Sequence, residues 1–124
     1  MRLFKLWFPV FAWAAFIFFL SGIPHLKTNL SCDLVLRKIA HVTEYFILTL
    51  FLHNAFKNTF TLNAASLFVY SSCIAVFYAI SDETHQLFVA GRNCSPKDVL
   101  IDAVGIFGFY AALRFLGRRV RKAI

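Results

Sequence analysis

Charge is scarce in this chain of 124 residues. Only 15% of the residues are Asp, Glu, Lys or Arg, whereas a soluble domain carries about 25%. Apolar residues make up 60% of the chain, and the mean hydropathy is +0.69. A soluble core of this size could not bury 16 phenylalanines. The composition therefore excludes an ordinary soluble domain and indicates an integral membrane protein.

The familiar signatures of metal and redox sites are missing too. The 3 cysteines form neither a CxxC pair nor a Cys/His zinc spacing, and no HxxxH or HExxH run occurs. The motifs therefore predict no metal site and no particular cofactor, although His41, His85, Asp82 and Glu83 offer suitable ligands and leave a metal site possible. The lipid-phosphatase signature, a basic run followed by Ser-Gly-His and a later Arg/His motif, is also absent. No reaction class follows from the motifs.

Four apolar spans nearly use up the chain, so the sequence predicts one domain over residues 1–124. They cover about residues 6–22, 38–55, 64–88 and 96–116, and each is long enough for a membrane helix of about 20 residues. The fourth begins with a helix signal, in which Ser95 is the N-cap and Pro96 takes the first helical position. The predicted fold class is all-α, a polytopic bundle of four transmembrane helices.

Four spans put both chain ends on one side of the membrane, which we predict to be the cytoplasmic side. The basic residues favour this orientation by the positive-inside rule, and topology explains the net charge of +7 better than nucleic-acid binding does. All 6 acidic residues then fall on the outer side, a clustering that the rule does not explain. The predicted cytoplasmic basic residues are Arg2, Lys5, Lys57, Arg114, Arg118, Arg119, Arg121 and Lys122.

Polar side chains from three spans are predicted to converge at the outer end. On a helical wheel of about 100° per residue, His41 and Tyr45 share a face. Asp82 and Gln86 share another, and Asp102 lies on a stripe with Gly105, where glycine permits close helix approach. Buried ionisable groups cost about 2.5–3.5 kcal/mol each in a membrane, so they should face one another. The predicted pocket comprises Lys38, His41, Glu44, Tyr45, Asp82, Glu83, His85, Gln86, Arg92, Asp98 and Asp102.

Taken together, these residues resemble the VanZ-like family, small bacterial membrane proteins named after a teicoplanin-resistance accessory protein. The resemblance rests on Ser21-Gly22-Ile23-Pro24 and on two blocks that read K..H...Y and DE..Q....R..S..D. Two departures stand out: Ala90 precedes Gly91-Arg92 where the family often has Pro, and Asp102 stands where it often has Asn. The resemblance implies a four-helix protein of the cell envelope, linked to glycopeptide resistance. The blocks map onto Lys38, His41, Tyr45, Asp82, Glu83, Gln86, Arg92, Ser95 and Asp98.

The predicted pocket suits an anionic lipid headgroup or a lipid-linked precursor, which basic groups would hold while His and carboxylates act on it. A non-enzymatic accessory or structural role is an open alternative, as is a small transporter or proton relay. Expected partners are membrane lipids, a lipid-linked envelope precursor or a lipoglycopeptide, and a second copy of the chain. The catalytic candidates are His41, Glu44, Asp82, Glu83 and His85; the ligand-binding candidates are Lys38, Tyr45, Gln86, Arg92, Ser95, Asp98 and Asp102.

Overall fold

A computed structural model describes residues 1–24, 33–91 and 95–123, with the side chains of 33, 34 and 119–123 excepted. Four α-helices and no strand occupy these ranges, which confirms the all-α prediction. The helices are α1 (Arg2–Ser21), α2 (Asp33–Thr59), α3 (Ala64–Gln86) and α4 (Pro96–Ala123). Helix α2 begins five residues before the predicted start at residue 38, so more polar residues are helical than the apolar pattern indicated.

Local sequence sets two of the helix starts. The Asn63 side chain accepts a hydrogen bond of 2.7 Å from the backbone N–H of Ser66 and caps α3. At α4, the Ser95 hydroxyl accepts from the Lys97 N–H at 3.3 Å, and Pro96 is the first helical residue. This arrangement confirms the predicted cap of the fourth helix.

Neighbouring helices run antiparallel, and α2 packs against all three others, most extensively against α4. The Trp7 indole N–H donates to Thr59 Oγ1 at 3.0 Å, so the start of α1 lies beside the end of α2. The rings of Phe68 and Tyr110, 4.6 Å apart, place the start of α3 beside the later part of α4 at that same end. The opposite end therefore holds the end of α1, the start of α2, the end of α3 and the start of α4.

The bundle has a small core and an apolar exterior. Its buried cluster consists mainly of aliphatic residues, two of them alanines on α3, with Tyr45 among them. Large side chains such as Phe8, Phe19 and Phe77 point outward, which suits lipid and would be unfavourable in water. Helices α1, α3 and residues Pro96–Arg118 of α4 are long and apolar enough to cross a membrane. Helix α2 does not meet that measure, so the count of four spans stays a prediction.

Candidate functional site

Buried polar side chains collect at the end of the bundle where α1 ends and α2 begins. Ser21 contributes from the last residue of α1, Asp82 and Gln86 from the last two turns of α3, and Asp102 from the second turn of α4. All four are less than a tenth exposed. Buried polar groups need partners inside the protein, so this end of the molecule is held together by polar contacts rather than by apolar packing alone.

Gly105 brings α2 and α4 close enough for their polar side chains to pair. A Cβ added at Gly105 would lie 2.2 Å from the carbonyl oxygen of Val42 and 3.0 Å from the backbone nitrogen of Phe46. One turn away from this contact, His41 Nδ1 and Asp102 Oδ1 are 3.0 Å apart. The predicted close approach at Gly105 is confirmed, and it makes the His41–Asp102 pair possible.

The His41–Asp102 pair joins a buried carboxylate to a histidine that solvent or lipid can still reach. The Asp102 side chain is fully buried, whereas the His41 side chain is 18% exposed. An ionised carboxylate only accepts hydrogen bonds, so Asp102 favours the tautomer in which Nδ1 carries the hydrogen. Nε2 of His41 is then the nitrogen with a lone pair to offer.

Glu83 completes a cluster of three side chains from three helices. His41, Glu83 and Asp102 each offer one potential ligand atom, and these atoms all lie within 4.8 Å of one another. Glu83 is 3% exposed, and its charge acts on the His41 ring. We call these three residues the His41 cluster. Nitrogen and carboxylate oxygen in this arrangement can move a proton or bind a cation.

Asp82 belongs to a second group, which links α3 to α1. Its Oδ2 accepts from the Ser21 hydroxyl at 2.8 Å and from the Gln86 amide nitrogen at 3.0 Å. The same amide nitrogen lies 3.4 Å from Glu83 Oε1, so it connects this group with the His41 cluster. We call Ser21, Asp82 and Gln86 the Asp82 group. Its bonds within and between helices are those of a structural network.

Several buried polar atoms around the cluster have no hydrogen-bond partner among the described residues. They include Asp82 Oδ1, Asp102 Oδ2 and the Tyr45 hydroxyl. Tyr45 is fully buried, and the charges of Asp82 and Asp102 both act on its hydroxyl. Such orphaned groups are costly in an apolar interior, which marks the region as more than a finished structural network.

Two predicted site residues lie apart from the cluster. The Lys38 side chain is exposed, and the His85 ring stacks on Phe18 of α1 with centroids 4.0 Å apart. Stacking on a lipid-facing phenylalanine turns His85 towards the flank of α1. Lys38 precedes His41 by about 4.5 Å along the helix axis, so its long side chain can reach past the end of the bundle.

The other predicted site residues are Glu44, Asp98, Ser95 and Arg92. Glu44 is half-buried; its backbone oxygen accepts from the Trp13 indole N–H at 2.9 Å, and its carboxylate acts on His41. Asp98 is half-buried in the first turn of α4, and its charge reaches Asp102. Ser95 caps α4. Arg92 lies outside the described residues.

Sequence reasoning missed the role of Ser21. The residue was noted only as the start of the Ser-Gly-Ile-Pro run that ends the first span. In the structure its hydroxyl is the donor from α1 to the buried Asp82 carboxylate. A serine at the last position of an otherwise apolar helix indicates a polar contact at that end of the bundle. Its hydrogen-bond partner can be predicted only when the end of a neighbouring helix carries an acidic residue.

These features define a small helical protein of membrane type, with a polar centre between the helices near one end. The VanZ/LLP1 family model matches residues 3–117, so the chain belongs to the VanZ-like family and is a VanZ-like membrane protein. Comparison with curated proteins and with solved structures finds no match. Family membership confirms the resemblance carried by the two sequence blocks.

Proposed function

We propose that this protein spans the bacterial cytoplasmic membrane four times, with both chain ends inside, and binds an anionic lipid headgroup or lipid-linked precursor at its outer end. The single observation that carries the proposal is the convergence of His41, Glu83 and Asp102 from three helices. A reachable histidine backed by buried carboxylates is a site for recognition or chemistry. In the enzymatic form of this function, the protein also processes the bound headgroup.

The depth of the cluster supports a headgroup ligand. Asp102 is six residues after the start of α4, which places it about 9 Å below the helix end. Polar groups at that depth lie near the boundary between lipid headgroups and acyl chains. A ligand that enters from the membrane surface would therefore meet His41, the partly exposed member of the cluster, first.

Basic residues beside the cluster support an anionic ligand. Arg37 precedes His41 by one helical turn and is half-buried, and Lys38 beside it is exposed. Residues four apart lie on one helix face, so Arg37 is on the same side of α2 as His41. Guanidinium and ammonium groups bind phosphate well. They provide positive charge at the approach to an otherwise acidic cluster.

A structural role is the second candidate, and the Asp82 group favours it. The Ser21–Asp82 hydrogen bond ties α1 to α3, and the Gln86 amide donates to the same carboxylate oxygen. We assign stability to the Asp82 group and ligand binding to the His41 cluster. The two assignments predict different outcomes for variants in the two places.

The test is lipid binding by the purified full chain in nanodiscs. Labelled phosphatidylglycerol and a polyprenyl phosphate are compared with zwitterionic phosphatidylcholine, and released products are followed by mass spectrometry. We expect preferential binding of the anionic lipids, reduced about tenfold by His41→Gln, which corresponds to about 1.4 kcal/mol. His53→Gln is the matched control, because His53 packs against Phe109 and Tyr110 away from the cluster.

Equal binding of anionic and zwitterionic lipids, or full binding by a well-folded His41→Gln protein, would contradict the proposal. Binding without product would leave a binder, and product formation that requires His41 would make the protein an enzyme. The proposed link to envelope biology is tested separately, by measuring teicoplanin sensitivity of cells with and without the intact cluster.

A further inference from the structure

We propose that His41, Glu83 and Asp102 hold a divalent transition-metal ion. This inference goes beyond the proposed function, because ion binding can be measured with no lipid present. It differs from the metal site that the sequence leaves possible, because that site would use His41, His85, Asp82 and Glu83 and would not include Asp102. Here each ligand comes from a different helix, so no spacing motif could reveal the set.

The separations between the ligand atoms suit one ion. Two atoms bound at about 2.1 Å to the same ion are about 3.0 Å apart at a right angle and about 4.2 Å apart when opposite. His41 Nδ1 and Asp102 Oδ1 are 3.0 Å apart, and an ion bound to both would take the place of the proton that Nδ1 carries in their hydrogen bond. The three ligand atoms all lie within 4.8 Å of one another. In the tetrahedral arrangement of a zinc site the separation is about 3.4 Å, so the outermost ligand atom would move inward by up to about 1.4 Å. One imidazole and two carboxylates suit zinc or manganese better than magnesium or calcium.

Charge and burial give an independent reason for a cation. Asp102 is a fully buried carboxylate beside His41, and a divalent ion would stabilise its negative charge in an apolar interior. In the part of the chain that the structure describes, Oδ2 of the fully buried Asp102 has no hydrogen-bond partner. The same holds for the hydroxyl of the fully buried Tyr45, on which the Asp102 charge acts. A bound ion would give Asp102 Oδ2 and Tyr45 a ligand or ordered water to contact.

An ion here would also reconcile an acidic cluster with an anionic ligand. Three protein ligands leave a coordination position open, as in catalytic zinc sites. A phosphate oxygen could take that position, with the ion between it and the carboxylates. This second step rests on the proposed function.

The experiment uses the full chain in nanodiscs, stripped with a chelator and titrated separately with Zn²⁺ and Mn²⁺ by calorimetry. We expect one ion per chain, with at least tenfold weaker binding in Glu83→Gln and Asp102→Asn, since even outer-shell changes weaken metal sites about 10–100-fold. His53→Gln should bind as the wild type does. Magnesium in excess should not displace the bound ion.

X-ray absorption of the zinc-loaded wild type gives a readout that does not depend on variant folding. Nitrogen and oxygen ligands with one imidazole are expected, and sulfur ligands would assign the ion to cysteine and overturn the proposal. The absence of saturable binding, or binding unchanged in folded Glu83→Gln and Asp102→Asn, would overturn it too. If lipid binding survives the chelator while no ion binds, the metal proposal fails and the headgroup proposal stands.

Discussion

Replacing Gly105 by alanine should separate α2 from α4 at the level of the His41 cluster. The new Cβ would lie 2.2 Å from the Val42 carbonyl oxygen, and that backbone atom cannot rotate away. Relief requires the helices to part by about 1 Å to approach ordinary contact distances. The 3.0 Å contact of His41 with Asp102 would then lengthen to about 4 Å, beyond hydrogen-bond range.

The expected loss in the free energy of unfolding is about 2–3 kcal/mol, at the upper end for overpacking, because backbone meets backbone. Gly108→Ala is the matched control, since its Cβ would meet only Phe46 Cδ2 at 3.9 Å. Alanine is a better helix former by about 1 kcal/mol, so the control should be at least as stable as the wild type. Titration with SDS from mild detergent, followed by circular dichroism, measures both. Equal midpoints for the two variants would refute the close contact.

Two further predictions concern the opposite faces of α3. Ser21→Ala removes the hydroxyl that donates to the buried Asp82 carboxylate at 2.8 Å, and it should lower the free energy of unfolding by about 1.5–3 kcal/mol. Ser21→Thr should retain most of the wild-type stability. An unchanged SDS midpoint in Ser21→Ala would count against the hydrogen bond. Cys73 is exposed and free in the middle of α3, so after Cys32→Ser and Cys94→Ser a lipid-soluble thiol reagent should label it in membranes. Efficient labelling by a charged, water-soluble reagent would argue against a lipid-facing position.

The helical class and the close contact at Gly105 were predictable because both depend on local pattern. A long apolar span dictates a helix in lipid, and a glycine beside an inward-facing acid indicates a close neighbour. The partner of each polar residue was not predictable. A wheel of α3 places Glu83 beside the Asp82 stripe, yet α3 has neighbours on several sides. Asp82 faces α1, whereas Glu83 faces His41 and Asp102, and both side chains are therefore buried.

Lys38 and His85 show where periodicity fails as a guide to burial. Helical phase gives the direction of a side chain but not how far the neighbouring helices extend. Lys38 shares a face with Tyr45, which lies seven residues, or about 10 Å, deeper along α2. Tyr45 is therefore enclosed, whereas Lys38 is exposed. The position of the His85 ring depends on its stacking against Phe18 of α1, which a helical wheel of α3 cannot show.

We assign a structural role to the Asp82 group and a functional role to the His41 cluster. Hydrogen bonds from Ser21 and Gln86 compensate the burial of one carboxylate oxygen of Asp82, and the bond from Ser21 also ties α1 to α3. A network that served only stability would leave few polar atoms unsatisfied. Asp82 Oδ1, Asp102 Oδ2 and the Tyr45 hydroxyl have no partner among the described residues, and the last two lie beside the reachable His41. Keeping such groups buried costs stability, and a bound cation or headgroup is what would offset that cost.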